Sequence, residues 1–213
     1  MCSVFQYFLR KSLYILKINN SLFLVILFMV MTAFTSAFGQ TLDTTSIIKT
    51  TVISDFYNFK LLTLQGDTIS FSDFKGKKIM LVNVASKCGY TPQYAQLQEL
   101  HEKYWNKVVL IGFPANNFGS QEPSDNSEIL TFCTKNYGVT FLMSEKISVK
   151  GLNQHPIYQW LTNKSKNGWN QESPKWNFYK YLVDEEGKLI KVFPSSVLPN
   201  SEEIVNEILQ VKK

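Results

Sequence analysis

The sequence predicts an α/β domain, a central mixed sheet flanked by helices and preceded by a β-hairpin. Two short apolar runs, residues 79–85 and 108–113, read as buried strands and alternate with helical patterns. A second hairpin and a last helix follow toward the C-terminus, which points to a three-layer arrangement. No internal repeat, low-complexity segment or second domain interrupts the pattern, and 213 residues suit one domain with a substantial core.

Taken in order, residues 59–64 and 68–71 flank Gln65-Gly66-Asp67 and predict the first hairpin. A turn at Phe74-Lys75-Gly76-Lys77 leads into the strand at 79–85. Tyr94, Leu97, Leu100, His101 and Tyr104 recur at helical spacing, giving a helix over 92–104. Pro92 suits its first turn, where a missing N–H leaves nothing unpaired. After the strand at 108–113 comes an amide-rich loop, 114–123. Ser124 or Asp125 then caps a helix with Glu128 in its first turn and Gly138 at its end, placing Cys133 in the last turns or at a frayed end. A third strand is expected within 139–149, a short helix over 156–163 and a polar loop over 168–175. Residues 176–183 and 188–193 predict a hairpin around Asp184-Glu185-Glu186-Gly187. The last helix, 201–211, buries Ile204, Ile208 and Val211.

The first forty residues belong to a different regime. Arg10, Lys11 and Lys17 precede an apolar stretch from Leu22 to Ala33, and Ala37-Phe38-Gly39 offers small residues at a cleavage site. Residues 1–39 are expected to be a secretory signal cut before Gln40, with an uncleaved membrane anchor as the alternative. Residues 40–54 are polar and aperiodic, a linker, and 55–213 form the domain. The expected location is therefore outside the cytoplasm, periplasmic or secreted, with proximity to a membrane if the anchor stays. Removing residues 1–39 takes away three basic residues and no acidic one, so the formal charge falls from +5 to +2. The remaining lysines are scattered, which argues against a nucleic-acid partner.

The same cut removes Cys2 and leaves Cys88 and Cys133. In an exported chain such a pair is either a structural disulfide or a working redox couple. The setting of Cys88 favours reactivity. It lies between a buried strand and a helix start, facing unsatisfied N–H groups and the positive end of the helix dipole, which favour thiolate over thiol. Peroxide reduction is one chemistry that needs such a thiolate, together with donors for sulfur and leaving oxygen and a route back from sulfenic acid. Gln121, Trp176 and Asn177 are candidate donors from separate parts of the sheet; taken singly, each also fits as a turn or core residue. His101 and His155 lack ligand partners at metal-binding spacing, so no metal is expected. GxGxxG, P-loop and haem-attachment patterns are absent.

Three blocks of the chain resemble the signatures of glutathione peroxidases. They are Asn83-Val84-Ala85-Ser86-Lys87-Cys88-Gly89, Gly112-Phe113-Pro114-Ala115-Asn116 with Gln121-Glu122-Pro123, and Trp176-Asn177-Phe178. Their order and spacing also match, and the likeness runs from about Phe56 to the end. The resemblance implies a thioredoxin-like fold, reduction of hydrogen peroxide and organic or lipid hydroperoxides, and a catalytic tetrad of Cys88, Gln121, Trp176 and Asn177. It also implies that Cys133 resolves the Cys88 sulfenic acid, and that an external thiol, a thioredoxin-like protein or glutathione, completes the cycle with no bound cofactor. A buried structural cysteine is the alternative for Cys133. Two departures stand out: Ala115 where many relatives carry Cys, and Leu142 where many carry Pro, which puts the neighbouring turn in question. The stretch 161–175 lacks the insertion of tetrameric members, so a monomer is expected. Other readings are a thiol-disulfide oxidoreductase, which lacks its second cysteine at Thr91, and a copper-delivery protein, which lacks one at Pro92. The last is an idle interaction domain with a Cys88–Cys133 disulfide.

Overall fold

The structure is a computed structural model that describes residues 56–210; the predicted signal, the linker and residues 211–213 lie outside them. The chain divides into two units, Met1–Ser46 and Ile47–Lys213, and every described residue belongs to the second. Its elements are β1 (Lys60–Leu62), β2 (Thr68–Ser70), β3 (Lys78–Val84), α1 (Gln93–Tyr104), β4 (Val108–Pro114) and α2 (Asn126–Tyr137). They continue with β5 (Leu142–Met143), α3 (Pro156–Leu161), α4 (Lys164–Asn167), β6 (Lys180–Val183), β7 (Leu189–Phe193) and α5 (Glu202–Leu209).

β3 is buried at every position, as a strand covered by helices on both faces must be. It sits at the centre of a five-stranded sheet of order β5-β4-β3-β6-β7. β4 runs parallel to β3 and β5 parallel to β4, whereas β6 and β7 are antiparallel, so the sheet is mixed as predicted. The period-2 alternation of side chains sorts β3 between two cores. Met80, Val82 and Val84 pack with Leu97 and Leu100 of α1, Ile129 and Cys133 of α2, and Ile204 and Ile208 of α5. Ile79 and Leu81 face the other way, toward Phe56, Phe71 and the α3 residues Ile157, Tyr158, Trp160 and Leu161. Each fully buried leucine or isoleucine contributes about 1.5–3 kcal/mol.

A charged residue opens this buried strand. Lys78 is only 3% exposed. Its Nζ donates to the carbonyls of Glu207, Ile208 and Gln210, satisfying orphan acceptors at the end of α5 where a cation also suits the helix dipole.

The ends of α2 follow the predicted chemistry. Asp125 accepts from Glu128 N–H at 2.9 Å while the Glu128 carboxylate accepts from Asp125 N–H, completing a capping box. Gly138 takes the left-handed conformation (φ 61°), and Cys133 O accepts the N–H groups of both Gly138 and Val139. Cys133 is thus locked into a capped helix end rather than a frayed one.

Two predicted strands are shorter than expected. Within 139–149 only β5 forms, paired with β4 over Ile111–Leu142 and Gly112–Met143; beyond it Ser144 makes a single bridge to Thr63 and Glu145 N–H donates to Leu62 O. The strand expected over 176–183 begins at Lys180, because Trp176, Phe178 and Tyr179 bond to the side chain and backbone of Asn83 in an irregular pattern. The small helix α4 lies just beyond the predicted 156–163 helix, its start capped by Asn163, whose Oδ1 accepts from Ser165 N–H.

Gly112 shows how tightly β4 and β5 meet. A Cβ there would overlap Met143 Sδ and lie 3.3 Å from the Phe141 ring. Gly112→Ala is expected to lower unfolding stability by about 1–3 kcal/mol, through overpacking, in chemical denaturation of the reduced protein.

Candidate active site

Cys88 stands beyond the carboxyl end of β3, four residues past it, on the side where the parallel neighbour β4 also ends. It is 8% exposed. A tight turn shapes it. Thr91 Oγ1 accepts the Cys88 N–H at 2.9 Å and donates to Ala85 O at 2.9 Å, while Thr91 N–H returns to Cys88 O. The first N–H groups of α1 are consumed the same way, Gln93 by Tyr90 O and Tyr94 by Thr91 O. The N–H aimed at the sulfur is therefore that of Tyr90, 3.4 Å from Sγ, rather than one belonging to the helix. Exposed Lys87 adds positive charge next to the cysteine in sequence.

The loop after β4 approaches this turn directly. Lys87 N–H donates to Gln121 O at 3.0 Å, and the Gln121 side chain accepts from Asn177 Nδ2 at 2.8 Å. Trp176 closes the group. Its ring tilts against Phe118 at a centroid distance of 5.8 Å, and the position of a Cβ on Gly119 would lie 3.6 Å from both the Trp176 ring and Gln121 Nε2. Trp176 remains 39% exposed while Asn177 is fully buried. Gln121 and the adjacent pair Trp176 and Asn177 are thus brought beside the Cys88 turn from two distant stretches of chain. Asn177 Oδ1 has no partner among the described residues. Turning both amides over would keep the 2.8 Å contact and convert that position into a donor.

Asn83 explains why residues 176–179 are irregular. It is a fully buried amide in an apolar strand. Its Nδ2 donates to Trp176 O at 3.0 Å, its Oδ1 accepts from Tyr179 N–H at 3.1 Å, and its carbonyl accepts from Phe178 N–H. These bonds replace the regular ladder and hold Phe178 at φ 64°. Ser120, immediately before Gln121, is the other non-glycine residue with positive φ among those described, at 53°. Strain of this kind costs about 1–3 kcal/mol per residue and gathers at functional sites. Asn83 is a residue that the sequence pattern does not single out for function; its polarity in an otherwise apolar run is the available signal.

Cys133 lies in the same hydrophobic core as Cys88, 1% exposed, and both thiols are free. Burial pushes its pKa up to about 11, with the Glu122 charge adding to the rise and the nearby Tyr94 hydroxyl opposing it. That hydroxyl is buried and makes no standard hydrogen bond to the thiol or to any other described group. The two histidines have packing roles: His155 Nδ1 caps α3 by accepting from Ile157 N–H at 3.3 Å, and His101 rests against Phe141. Burial lowers the pKa of both. Among the described residues no group of three or more His, Cys, Asp or Glu is placed to hold a metal ion.

The glutathione peroxidase family profile matches residues 56–162. The glutathione peroxidase of Lactococcus lactis is 44% identical over 155 residues, covering 72% of this chain and 97% of the relative. The chain belongs to the glutathione peroxidase family. It is also 44% identical to glutathione peroxidase-like peroxiredoxin 2 of Saccharomyces cerevisiae, covering 70% of this chain and 92% of that protein. A hydroperoxy fatty acid reductase of Synechocystis is 42% identical, with 68% and 89% covered. Among solved structures, apo Trgpx superposes with a TM-score of 0.56 at 34% identity, covering 73% of this chain and 95% of the other. A thioredoxin-like protein of Aeropyrum pernix gives 0.50 at 18% identity, covering 76% and 97%, and shares the fold alone. The domain is a thioredoxin-like fold, and the chain is a peroxidase-like hydroperoxide reductase that draws on a thiol reductant.

The raised Cys133 pKa carries a sign that can be measured. An unfolded thiol titrates near 9, whereas the folded one keeps its proton to about 11. Between those values the folded state binds more protons, so this stabilisation is complete below pH 9 and fades as pH rises toward 11. Urea unfolding of wild type and Cys133→Ala should show the wild-type advantage shrinking across that window by up to about 1.4 kcal/mol per pH unit.

Proposed function

We propose that the chain reduces hydrogen peroxide and organic or lipid hydroperoxides at Cys88, with Gln121, Trp176 and Asn177 completing the catalytic site and Cys133 acting as resolving cysteine. The observation that carries this reading is the run of bonds from the Cys88 turn to Gln121 O and from the Gln121 side chain to Asn177. Family membership supports the same assignment.

In the first step the Cys88 thiolate attacks the terminal peroxide oxygen. An S–O bond forms, the O–O bond breaks, and the departing alkoxide takes up a proton as alcohol or water. The sulfur is oxidised to sulfenic acid. Tyr90 N–H and the side-chain amides act as fixed donors toward sulfur and leaving oxygen, and they need little reorganisation as charge moves. The exposed Trp176 edge gives the site an open apolar rim, suited to bulky hydroperoxides.

In the second step the Cys133 sulfur attacks the Cys88 sulfur; the S–O bond breaks, the S–S bond forms and water leaves with the thiol proton. A thiol with its pKa pushed up to about 11 in a capped helix does not react in place, so the last turns of α2 must open. Only Ile129 and Cys133 of that helix are fully buried, which makes local opening inexpensive relative to global unfolding. An external thioredoxin-like dithiol, or glutathione, then reduces the disulfide. Residues 1–39 read as an export signal or anchor, so that donor belongs to the periplasm or exterior, and the enzyme works as a monomer.

Intact mass and thiol count before and after one equivalent of hydroperoxide test the cycle. Wild type should lose two thiols and about two mass units, while Cys133→Ser should hold a sulfenic acid that dimedone traps. Sulfenic acid in both proteins would remove Cys133 from the mechanism. An inert reduced Cys88 would overturn the peroxidase chemistry itself.

A further inference from the structure

Glu122 neither reacts with peroxide nor resolves the oxidised sulfur, yet its side chain is fully buried where β3 and β4 diverge. Its Oε2 accepts from Ser86 Oγ at 3.0 Å. One residue on, Lys87 N–H bonds Gln121 O at 3.0 Å. Two consecutive residues of the Cys88 turn are therefore fastened to two consecutive residues of the Gln121 loop. The loop is itself anchored. Glu122 N–H donates to Asn116 Oδ1 at 2.9 Å, and Lys146 Nζ donates to the carbonyls of Pro123 at 3.3 Å and Ser124 at 2.5 Å.

The other carboxylate oxygen, Oε1, is buried without a partner among the described residues. A buried, half-satisfied carboxylate is costly relative to an apolar or smaller neutral side chain. Besides the Ser86 hydroxyl, the Ser86 backbone and the charges of Lys146 and Lys87 act on this carboxylate, so its partners lie on the Cys88 turn and on the segment that anchors the Gln121 loop. What the carboxylate adds is direction. It pulls Ser86, two residues before the reactive sulfur, toward the backbone that carries Gln121 and, through it, Asn177.

We propose that Glu122 is a positioning residue for peroxide reduction: through Ser86 it holds the Cys88 turn in register with Gln121, so that sulfur and amide meet the O–O bond together. This rests on the reading of Cys88 and Gln121 as the reacting pair. In the step concerned, Cys88 thiolate, hydroperoxide and one proton give Cys88 sulfenic acid and alcohol. Glu122 neither gains nor loses an atom in it. Its effect enters through geometry, where a displacement near 1 Å costs on the order of a hundredfold in rate.

The test compares two reactions of the same sulfur. Attack on hydrogen peroxide or tert-butyl hydroperoxide needs the amide donors in place; alkylation by iodoacetamide needs only the thiolate. Stopped-flow oxidation and iodoacetamide labelling would be measured on reduced full-length wild type, Glu122→Ala, Ser86→Ala, Glu122→Gln and Gln121→Ala. Glu122→Ala and Ser86→Ala are expected to lower the peroxide rate constant at least tenfold while alkylation changes less than twofold. Glu122→Gln keeps an oxygen acceptor for Ser86 and should recover most of the peroxide rate. Equal losses in both reactions, or no loss in either, would overturn the proposal. Should Glu122→Ala fail to fold, Ser86→Ala reads the same bond from its other side. A wild type that oxidises no faster than a free thiol, or a Gln121→Ala variant with unchanged peroxide rate, would instead sink the underlying assignment of the reacting pair.

Discussion

Asn83 places an amide in the central strand, and four bonds from its side chain and backbone to residues 176, 178 and 179 set where the distal half of the candidate site stands. A regular ladder would have continued β6 back through Asn177, with side chains alternating across the sheet. The buried amide instead draws the segment out of strand geometry, holds Phe178 in the left-handed region and leaves Asn177 beside Gln121. The strain is tolerated because every member of the exchange is a buried donor or acceptor with a partner. Ser195 Oγ, which donates to Asn177 O at 2.6 Å, and the Phe118 ring against Trp176 hold the same segment from its other side.

The two cysteines share one core but stand in different surroundings. Cys88 stands at the end of the sheet with an N–H 3.4 Å from its sulfur and a small opening to solvent. Cys133 is closed in by α1 and α2 and pushed toward the thiol form. Neither distinction depends on distance along the chain. It depends on what lies around each sulfur: the Tyr90 N–H at Cys88, and burial beside Tyr94 and Glu122 at Cys133.

Much of the fold was legible in the chain. The strand–turn–helix around Cys88, the capping pair Asp125 and Glu128, and the αL glycine at 138 follow from local rules that act over a few residues. The grouping of Gln121, Trp176 and Asn177 came from resemblance, and the bond between Gln121 and Asn177 agrees with it. The strand expected within 139–149 forms but is short, because apolar content does not say how far a neighbour runs alongside. Two residues pair in register with β4, and beyond them Ser144 bridges Thr63 instead of extending that ladder. The role expected for the helix N-terminus passed to Tyr90 N–H, since the turn after Cys88 consumes the first helical donors.

By itself the sequence determined the class of fold, the order of its elements and the place of Cys88 between a strand and a helix, because hydrophobic period and turn residues are written locally. Only the tertiary structure decided which polar side chains meet. Asn83 with 176–179, Ser86 with Glu122, and Lys78 with the end of α5 join residues 36 to 132 positions apart. Periodicity reports which face is buried. It carries no record of which distant group satisfies a buried donor, and that pairing is what turns a sheet with a cysteine into a site.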